Sequence, residues 1–288
     1  MKFTKMHGAG NDYIYFNCLA EEIRNTITNP EALSIRLSDR HFSIGGDGIV
    51  LICPSNVADV KMRMFNADGS EGKMCGNAIR CVAKYVYDRG IVPKDLIDVE
   101  TLSGIKGIQV LTENDMGDRK VKLAKVDMGK ASGLAPGETT IAEGQNRMLK
   151  CYPLMVENEM WEITTVSMGN PHCVVFVPEV AGLDLKRIGP GFEKHHVFPQ
   201  QINTEFVKVL DSSTLEMRVW ERGSGETLAC GTGACAAVAA SILNGYCQKD
   251  TDITVRLLGG ELTIRVTDET VFMIGNAVET FCGEIDVD

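Results

Sequence analysis

The sequence predicts an α+β protein that is built from two similar halves. Short runs of apolar residues, such as those at 48–52, 173–177 and 216–220, are typical of strands. Two longer segments, at 76–88 and 231–244, carry apolar residues at helical spacing, and each is followed by a glycine that favours helix termination. Because the strands outnumber the helices and do not alternate with them, the pattern argues against a parallel βαβ fold.

An internal repeat relates the two halves. When the chain is shifted by 155 positions, MRMFNADGSEGKMCG at 62–76 lies on MRVWERGSGETLACG at 217–231 without a gap. Two further matches keep the same order at nearly the same shift: 102–110 with 258–266, and 10–12 with 169–171. The repeat predicts two pseudo-symmetric domains, with the active site in the cleft between them.

The repeat also places the domain boundary near the middle of the chain. The first predicted domain covers residues 1–128 and the second covers residues 129–275. We expect the C-terminal strand, at about 276–288, to return to the first domain. A further, shorter helix is expected in the first domain at 30–40.

Composition and charge exclude several classes of protein. The chain has 288 residues and is 44% hydrophobic, which is ample for two packed cores. Its 39 acidic and 29 basic residues give a net charge of −10, so neither nucleic acid nor an anionic membrane is an expected partner. The N-terminal segment turns polar before a signal-peptide core could form, and the longest apolar stretch is too short to span a bilayer. We therefore expect a cytoplasmic protein with a small-molecule substrate.

The cysteines are expected to be reduced thiols, because a protein without a secretory signal resides in a reducing compartment. The chain has ten cysteines and contains neither a C-x-x-C nor an H-E-x-x-H motif, so no metal site is predicted. Eight of the cysteines are interpreted as small buried hydrophobic residues. The other two, Cys75 and Cys230, stand at the start of the two predicted helices in the repeat.

Cys75 and Cys230 occupy positions that favour acid–base chemistry. The positive end of a helix dipole lowers the pKa of a thiol at a helix N-terminus. The backbone NH groups of the next residues form a site for an anion such as a carboxylate. These residues are Gly76, Asn77, Gly231 and Thr232. A thiolate on one face of a carbon and a thiol on the other can remove a proton from one face and deliver one to the other, which inverts a stereocentre.

Four motifs, MHGAGNDY, FNADGSEGKMCGNAIR, SMGNPHCVVF and WERGSGETLACGTGACAA, occur in this order and resemble those of the diaminopimelate epimerase family. The resemblance covers essentially the whole chain, including the closing FMIGNAVETFCGEI. It implies cofactor-independent epimerisation of LL-2,6-diaminopimelate to meso-2,6-diaminopimelate by a two-base mechanism, without PLP or metal. It also implies a role in lysine and peptidoglycan precursor biosynthesis, and a homodimer. The family fold has two similar domains, so the resemblance implies that each half is a mixed or antiparallel sheet or barrel wrapped around a central helix.

The resemblance also implies roles for individual residues. Cys75 and Cys230 would be the base and the acid, and His172 and Glu221 would lie beside the thiols, tune their proton affinity and orient the reacting amino group. The two residues after each cysteine would receive the proximal carboxylate. The remaining substrate-binding residues would be Asn11 near the reacting centre, Glu221, and Asn66, Asn170, Asn203 and Arg222 at the distal end. Gly48 departs from the family pattern, because some members have a substrate-contacting glutamine there.

Three other functions remain open on the residues alone. The segment GTGACA at 231–236 satisfies a loose dinucleotide-binding pattern, but no strand leads directly into it. A cysteine hydrolase or transferase could use Cys230 as nucleophile and His172 as base, but this leaves Cys75 and the repeat unexplained. A racemase of the same fold acting on proline, hydroxyproline or histidine would share both cysteines and differ only in its distal pocket.

One asymmetry between the halves bears on the choice of substrate. At the shift of 155, Asn66 and Ala67 lie on Glu221 and Arg222, so only the second half carries a charge pair. An arginine buried in the site implies a second anionic group on the substrate. This favours a dicarboxylic diamino acid over proline or histidine.

Overall fold

Strands make up most of the regular structure in both parts of the chain. The computed structural model describes residues 1–115, 118–135, 137–140 and 148–286. The chain divides into two compact units: Met1–Asp127 with Ile274–Asp288, and Met128–Met273.

The first unit begins with strands and has its longest helix near its centre. Its elements up to residue 127 are, in chain order, β1 (Lys2–Gly8), β2 (Asn11–Asn17), α1 (Glu21–Thr26), α2 (Pro30–Ser38), β3 (Gly48–Cys53), β4 (Val60–Asn66), β5 (Glu71–Gly72), α3 (Gly76–Asp88), β6 (Leu96–Thr101), β7 (Gly104–Asp115) and β8 (Asp118–Asp127).

The second unit follows the same plan. Its elements are β9 (Tyr152–Val156), β10 (Glu159–Ser167), β11 (Pro171–Phe176), α4 (Leu185–Glu193), β12 (Asn203–Asp211), β13 (Thr214–Glu221), β14 (Gly225–Thr227), α5 (Gly231–Leu243), β15 (Ile253–Leu257) and β16 (Gly260–Val266). The chain then passes through β17 (Val271–Asn276) to β18 (Val278–Glu284) in the first unit.

In the first unit, the neighbouring strands run in the order β18, β1, β2, β3, β4, β6, β7 and β8. The pairs β2–β3 and β4–β6 are parallel, and the other pairs in this series are antiparallel. Helix α3 lies against β1, β2, β6, β7 and β8, and ten of its residues are buried. The strands therefore wrap around a central helix, as the sequence predicts.

In the second unit, the order is β9, β10, β11, β12, β13, β15 and β16, and the parallel pairs are β11–β12 and β13–β15. Helix α5 packs against β10, β11, β12, β13, β15 and β16. Its alanines allow neighbours to approach closely on most sides, so ten of its residues are buried. The predicted α+β fold with an internal duplication is confirmed.

The strand pattern alone did not reveal one feature of each unit. The connection from β4 through α3 to β6 joins two parallel strands, and so does the connection from β13 through α5 to β15. The connections from β2 through α1 and α2 to β3, and from β11 through α4 to β12, also join parallel strands, so each unit contains two such crossovers within a mainly antiparallel arrangement. In the crossovers through α3 and α5, the short antiparallel strand that follows the first strand conceals the pattern in the sequence.

The helix predictions succeed where the capping signals are local. Helix α3 has the predicted bounds, and α5 ends one residue before the predicted 244. Helix α2 ends at Ser38, before the predicted 40, because Asp39 is extended and its carboxylate accepts the N–H groups of His41 and Phe42. Helix α4 was not predicted, since Pro190 lies inside it between two glycines. No helix in the described ranges has the length and apolarity needed to cross a membrane.

The cysteines outside the repeat motif are less uniformly buried than expected. Cys151 and Cys282 are exposed, and Cys53 is half-buried, whereas the other five are buried. Both exposed thiols form polar contacts, Cys151 with Asn244 and Cys282 with Glu279. The interpretation of all eight as buried hydrophobic residues is therefore wrong for three of them. The described cysteines form no disulfide.

Candidate active site

Cys75 is the N-cap of α3 in the first unit. Its backbone is extended, with φ −134° and ψ 120°, and its Sγ accepts the N–H of Ala78 at 3.5 Å. The Oδ1 of Asn11 accepts hydrogen bonds from the Cys75 Sγ and from the Asn77 Nδ2, each at 3.3 Å. The structure thus brings together Asn11, Cys75 and the buried first turn of α3. Gly76 is the first residue of that turn.

A network of charges fixes the orientation of Asn11. Its Nδ2 donates to the Asp47 Oδ2 at 2.7 Å, which leaves Oδ1 directed at Cys75. Arg40 bridges Asp12 and Asp47 at 2.6 and 2.9 Å, and the buried Lys5 pairs with Asp12 at 2.6 Å. Burial disfavours the ionised form of Asp12, but hydrogen bonds and charges from Arg40 and Lys5 outweigh it and lower its pKa.

Arg80 supports the first turn of α3 from below. Its side chain is 0% exposed and donates to the Gly76 carbonyl at 3.1 Å, to the Asn77 Oδ1 at 2.9 Å and to the Asn276 carbonyl at 3.1 Å. A Cβ at Gly8 would lie 2.8 Å from its NH2 group, so a glycine is needed beside it. In the sequence, the one signal for Arg80 is its position between the apolar residues Ile79 and Cys81, where an arginine needs buried partners.

Asn66 is held by hydrogen bonds to Ser70 and Ser34. It ends β4, and its Nδ2 donates to the Ser70 Oγ at 3.0 Å, while its carbonyl accepts the Ser34 hydroxyl at 2.7 Å. Its hydrogen bonds in the described structure therefore hold the turn at 66–70. The predicted role of Asn66 in substrate binding stays a prediction.

Gly48, which pairs with Asn66 across β3 and β4, is a glycine for a steric reason. Its φ is +153°, and an added Cβ would lie 2.0 Å from the carbonyl oxygen of Phe65 and 2.9 Å from the ring of Tyr13. A glutamine therefore cannot be accommodated on this backbone. The local packing of β3 therefore explains why this chain has glycine at position 48, where some members of the family have glutamine.

We expect Gly48→Gln to lower the free energy of unfolding by about 3 kcal/mol, because it adds a backbone clash to an unfavourable φ. Chemical denaturation measures this loss. Gly104→Gln is the matched control, since Gly104 has a φ of +93° and open space around its Cβ position. If both variants lose the same free energy of unfolding, the clash at Gly48 adds nothing to the cost of the positive φ, and the expectation is wrong.

Cys230 is the N-cap of α5 in the second unit. Its backbone is extended, with φ −114° and ψ 111°, and its Sγ lies 3.5 Å from the Thr232 Oγ1. The same Thr232 oxygen accepts the Asn170 Nδ2 at 3.3 Å. The carboxylate of Glu221, at the end of β13, accepts a hydrogen bond from the hydroxyl of Thr227, and its charge acts on the Cys230 thiol. Gly231 is buried and begins the helix.

His172 lies on β11 and is fully buried. Its Nδ1 is 2.7 Å from the Glu205 Oε1, and its Nε2 is 3.1 Å from the Asn170 Oδ1. Asn170 thereby connects His172 to Thr232 beside Cys230. The sequence gives only a weak signal for Glu205, which is an acidic residue next to the apolar run Phe206 and Val207 in β12.

Asn203 and Arg222 form a second pair of contacts in this unit. The Asn203 Nδ2 donates to the Pro171 carbonyl at 3.0 Å, and its Oδ1 accepts the backbone N–H of Arg222 at 3.0 Å. The guanidinium of Arg222 donates to the Gln200 carbonyl at 2.9 Å. Arg222 is exposed, because it lies in the turn after β13, so the expectation of a buried arginine is wrong.

Comparison with known proteins decides the family. The chain matches the family model described as diaminopimelate epimerase over residues 3–134 and 164–280. A protein from Acetivibrio thermocellus named diaminopimelate epimerase is 52% identical over 100% of this chain and 99% of its own length. One of the same name from Methanococcus maripaludis strain C6 is 50% identical over 100% of both chains. The chain belongs to the diaminopimelate epimerase family. It is therefore an isomerase.

This member of the diaminopimelate epimerase family also shares its fold with solved structures of low sequence identity. A probable proline racemase from Agrobacterium radiobacter K84 superposes with a TM-score of 0.70 at 14% identity, covering 100% of this chain and 93% of that one. A hydroxyproline epimerase from Agrobacterium vitis gives a TM-score of 0.68 at 13% identity, covering 99% and 90%. A PhzF-family protein from Bacillus anthracis also gives 0.68, at 15% identity, covering 100% and 99%.

The environment of Cys230 raises its pKa well above the ordinary value. Burial is the largest cause, and the charges of Glu221 and Glu205 act in the same direction, whereas the Thr232 hydroxyl and the Gly233 N–H act against it. The prediction that the helix N-terminus makes this cysteine acidic is therefore wrong. Burial also raises the pKa of Glu221. Cys230 is a thiol at neutral pH and can donate a proton.

We expect Cys230 to react with iodoacetamide at a higher pH than an ordinary cysteine, whose pKa is about 8.5. Only the thiolate reacts, and the raised pKa keeps the thiolate fraction small below that pH. Glu221→Gln removes a neighbouring carboxylate and should move the midpoint of alkylation to lower pH. Mass spectrometry of the Cys230 peptide follows the reaction, with the exposed Cys151 as internal standard. A midpoint that rises in Glu221→Gln would contradict this account.

Proposed function

We propose that the chain epimerises LL-2,6-diaminopimelate to meso-2,6-diaminopimelate, with Cys75 and Cys230 acting on opposite faces of the reacting α-carbon. The observation that carries the proposal is that each unit has a cysteine as the N-cap of its central helix, at equivalent positions of the repeat. Relatives at 50–52% identity over the full length are named diaminopimelate epimerase, which supports this substrate.

The helix N-termini stabilise the negative charge that develops on the substrate during the reaction. Removal of the α-proton moves negative charge onto the substrate carboxylate, and backbone NH groups at the positive end of a helix stabilise that charge. Under this proposal the proximal carboxylate lies against the first turns of α3 and α5. The NH groups that receive it belong to Gly76, Asn77, Gly231 and Thr232.

Each of the two thiol groups carries out one of the two proton transfers. In the form of the enzyme that starts a turnover, Cys230 is the thiol and Cys75 is the thiolate. Cys75 accepts the α-proton, and Cys230 delivers its own proton to the opposite face of the carbon, so the configuration is inverted. The product state has the opposite protonation, which is the starting state for the reverse reaction. Glu221 holds the Cys230 proton, and His172 orients the reacting amino group.

Polar side chains of both units complete the proposed substrate site. Asn11, held by Asp47 and Cys75, lies near the reacting centre. Asn170 bonds Thr232, which contacts Cys230. The distal amino-acid end is assigned to Asn66, Asn170, Asn203 and Arg222.

The biological setting follows the family. We propose that the protein acts in the cytoplasm as a homodimer in the synthesis of lysine and peptidoglycan precursors, without a cofactor and without nucleic-acid or membrane partners. We also propose residues 1–128, with the strand at about 276–288, and residues 129–275 as its functional halves. Sedimentation analysis of the purified protein tests the dimer directly.

Incubation with LL-diaminopimelate in D₂O tests the chemistry. A two-base mechanism places a solvent deuteron on the α-carbon as the configuration inverts. Mass spectrometry and chiral chromatography of the same samples measure both events. Inversion without deuterium incorporation, or no inversion at all, would contradict the proposal.

A further inference from the structure

The buried carboxylate of Glu205 has no role in the function proposed above. It lies on β12 between Thr204 and Phe206, and all three residues are 0% exposed. Its Oε1 accepts the Nδ1–H of His172 at 2.7 Å. Its Oε2 has no hydrogen-bond partner within the described residues.

Such a carboxylate is an unfavourable choice for stability alone. Removing a charge from water is costly unless its hydrogen-bonding capacity is satisfied, and here one oxygen is unsatisfied. Apolar residues of similar volume often replace a buried ionic pair without loss of stability. The pair of Glu205 and His172 therefore points to the placement of the imidazole.

The first unit provides an internal comparison. In its parallel strand pair Tyr13 lies opposite Gly48, whereas in the second unit His172 lies opposite Asn203. Tyr13 is thus the counterpart of His172, and two residues along the partner strand Val50 is the counterpart of Glu205. The first unit forms the same strand pairing with Val50 fully buried, so the fold does not require the acidic pair.

The central helices differ at the matching place. The third residue of α5 is Gly233, and a Cβ there would lie 2.6 Å from the Glu205 Oε1 and 3.2 Å from the Cys230 Cβ. The third residue of α3 is Ala78, which has a Cβ. The glycine therefore makes room for the carboxylate beneath the turn that presents Cys230.

We propose that Glu205 is a positioning residue for His172, holding Nδ1–H so that Nε2 is directed toward Asn170 and the first turn of α5. The link from Nε2 runs through Asn170 to Thr232, which contacts Cys230. The catalytic consequence rests on the proposed function, because it requires His172 to act on the bound substrate.

The test compares Glu205→Val, which reproduces the residue of the first unit, with Glu205→Gln, whose amide oxygen can still accept Nδ1–H. The first readout is the Nδ1–H resonance of the substrate-free protein labelled with ¹⁵N-histidine, assigned by its loss in His172→Gln. We expect the resonance in the wild type and in Glu205→Gln, and its loss in Glu205→Val. We expect kcat to fall about tenfold to a hundredfold in Glu205→Val with little change in KM, and to recover partly in Glu205→Gln.

Val175→Ala is the control for lost stability. Val175 is a core residue of the same strand as His172, and its truncation leaves the acidic pair in place. We expect this variant to keep the resonance and kcat while its Tm falls. Loss of the resonance in Val175→Ala, or a Glu205→Val protein with the wild-type resonance and kcat, would overturn the proposal.

The two readouts separate this inference from the proposed function. If the wild type shows no epimerisation but its resonance depends on Glu205, the positioning contact is upheld and the proposed function fails. If the wild type epimerises diaminopimelate but neither the resonance nor kcat depends on Glu205, the proposed function is upheld and the positioning role fails.

Discussion

Replacing either Cys75 or Cys230 with serine is expected to reduce epimerisation about a thousandfold or more. A serine hydroxyl is a far weaker acid than a thiol, so it cannot form the base at neutral pH or transfer a proton at a useful rate. The measurement is the steady-state rate in each direction with purified enantiomers. Circular dichroism checks that each variant is folded, since the exchange of one atom preserves the N-cap geometry.

The single variants are also expected to differ from an enzyme that has lost both thiols. Each keeps one acid–base group and should exchange the α-proton of one isomer with solvent without inverting it. Cys235→Ala is a suitable control, because this cysteine is buried in α5 but was assigned no role in the chemistry. Full turnover in both directions by either serine variant would end the two-base interpretation.

Arg222→Ala is expected to lower kcat/KM for diaminopimelate about a hundredfold. Two charge-assisted hydrogen bonds to a carboxylate provide about 3 kcal/mol, which corresponds to that factor. The guanidinium of Arg222 is exposed and bonds the Gln200 carbonyl, and the proposed function assigns it to the distal carboxylate of the substrate. Steady-state kinetics over a range of diaminopimelate concentrations measures the loss.

Arg256→Ala is the control for the loss of a surface arginine, because Arg256 is exposed and pairs with Glu261 at 3.1 Å. It should retain its kcat/KM. We also expect the wild type to leave lysine, proline and histidine unchanged, since none of them offers a second carboxylate. Comparable racemisation of proline, or full efficiency in Arg222→Ala, would overturn the assignment of the distal site.

The sequence was sufficient where a signal is local. The central helices are marked by apolar spacing and by the glycines that follow them, and the repeat relates Cys75 to Cys230 directly. Contacts between distant segments were out of reach. Arg80 and Glu205 are stabilised by partners that only the fold brings near, namely Asn276 for the first and His172 for the second.

Two errors have the same physical origin. The pKa of Cys230 is raised by burial and by carboxylates on β12 and β13, against the hydrogen bonds from Thr232 and Gly233. The exposure of Arg222 follows from its position in a turn, whereas the charge pair in the repeat suggested burial. In both cases the sequence identified the residue but could not supply its surroundings.

The close approach of Glu205 to Gly233 limits the paths by which the two halves of an ancestral repeat could diverge. Starting from the apolar arrangement of the first unit, a glutamate placed opposite an alanine would drive its carboxylate oxygen against a methyl group. The exchange of alanine for glycine on its own leaves only a small gap in the packing. An order in which glycine replaces alanine before the glutamate arrives therefore avoids this contact, whereas the reverse order passes through it.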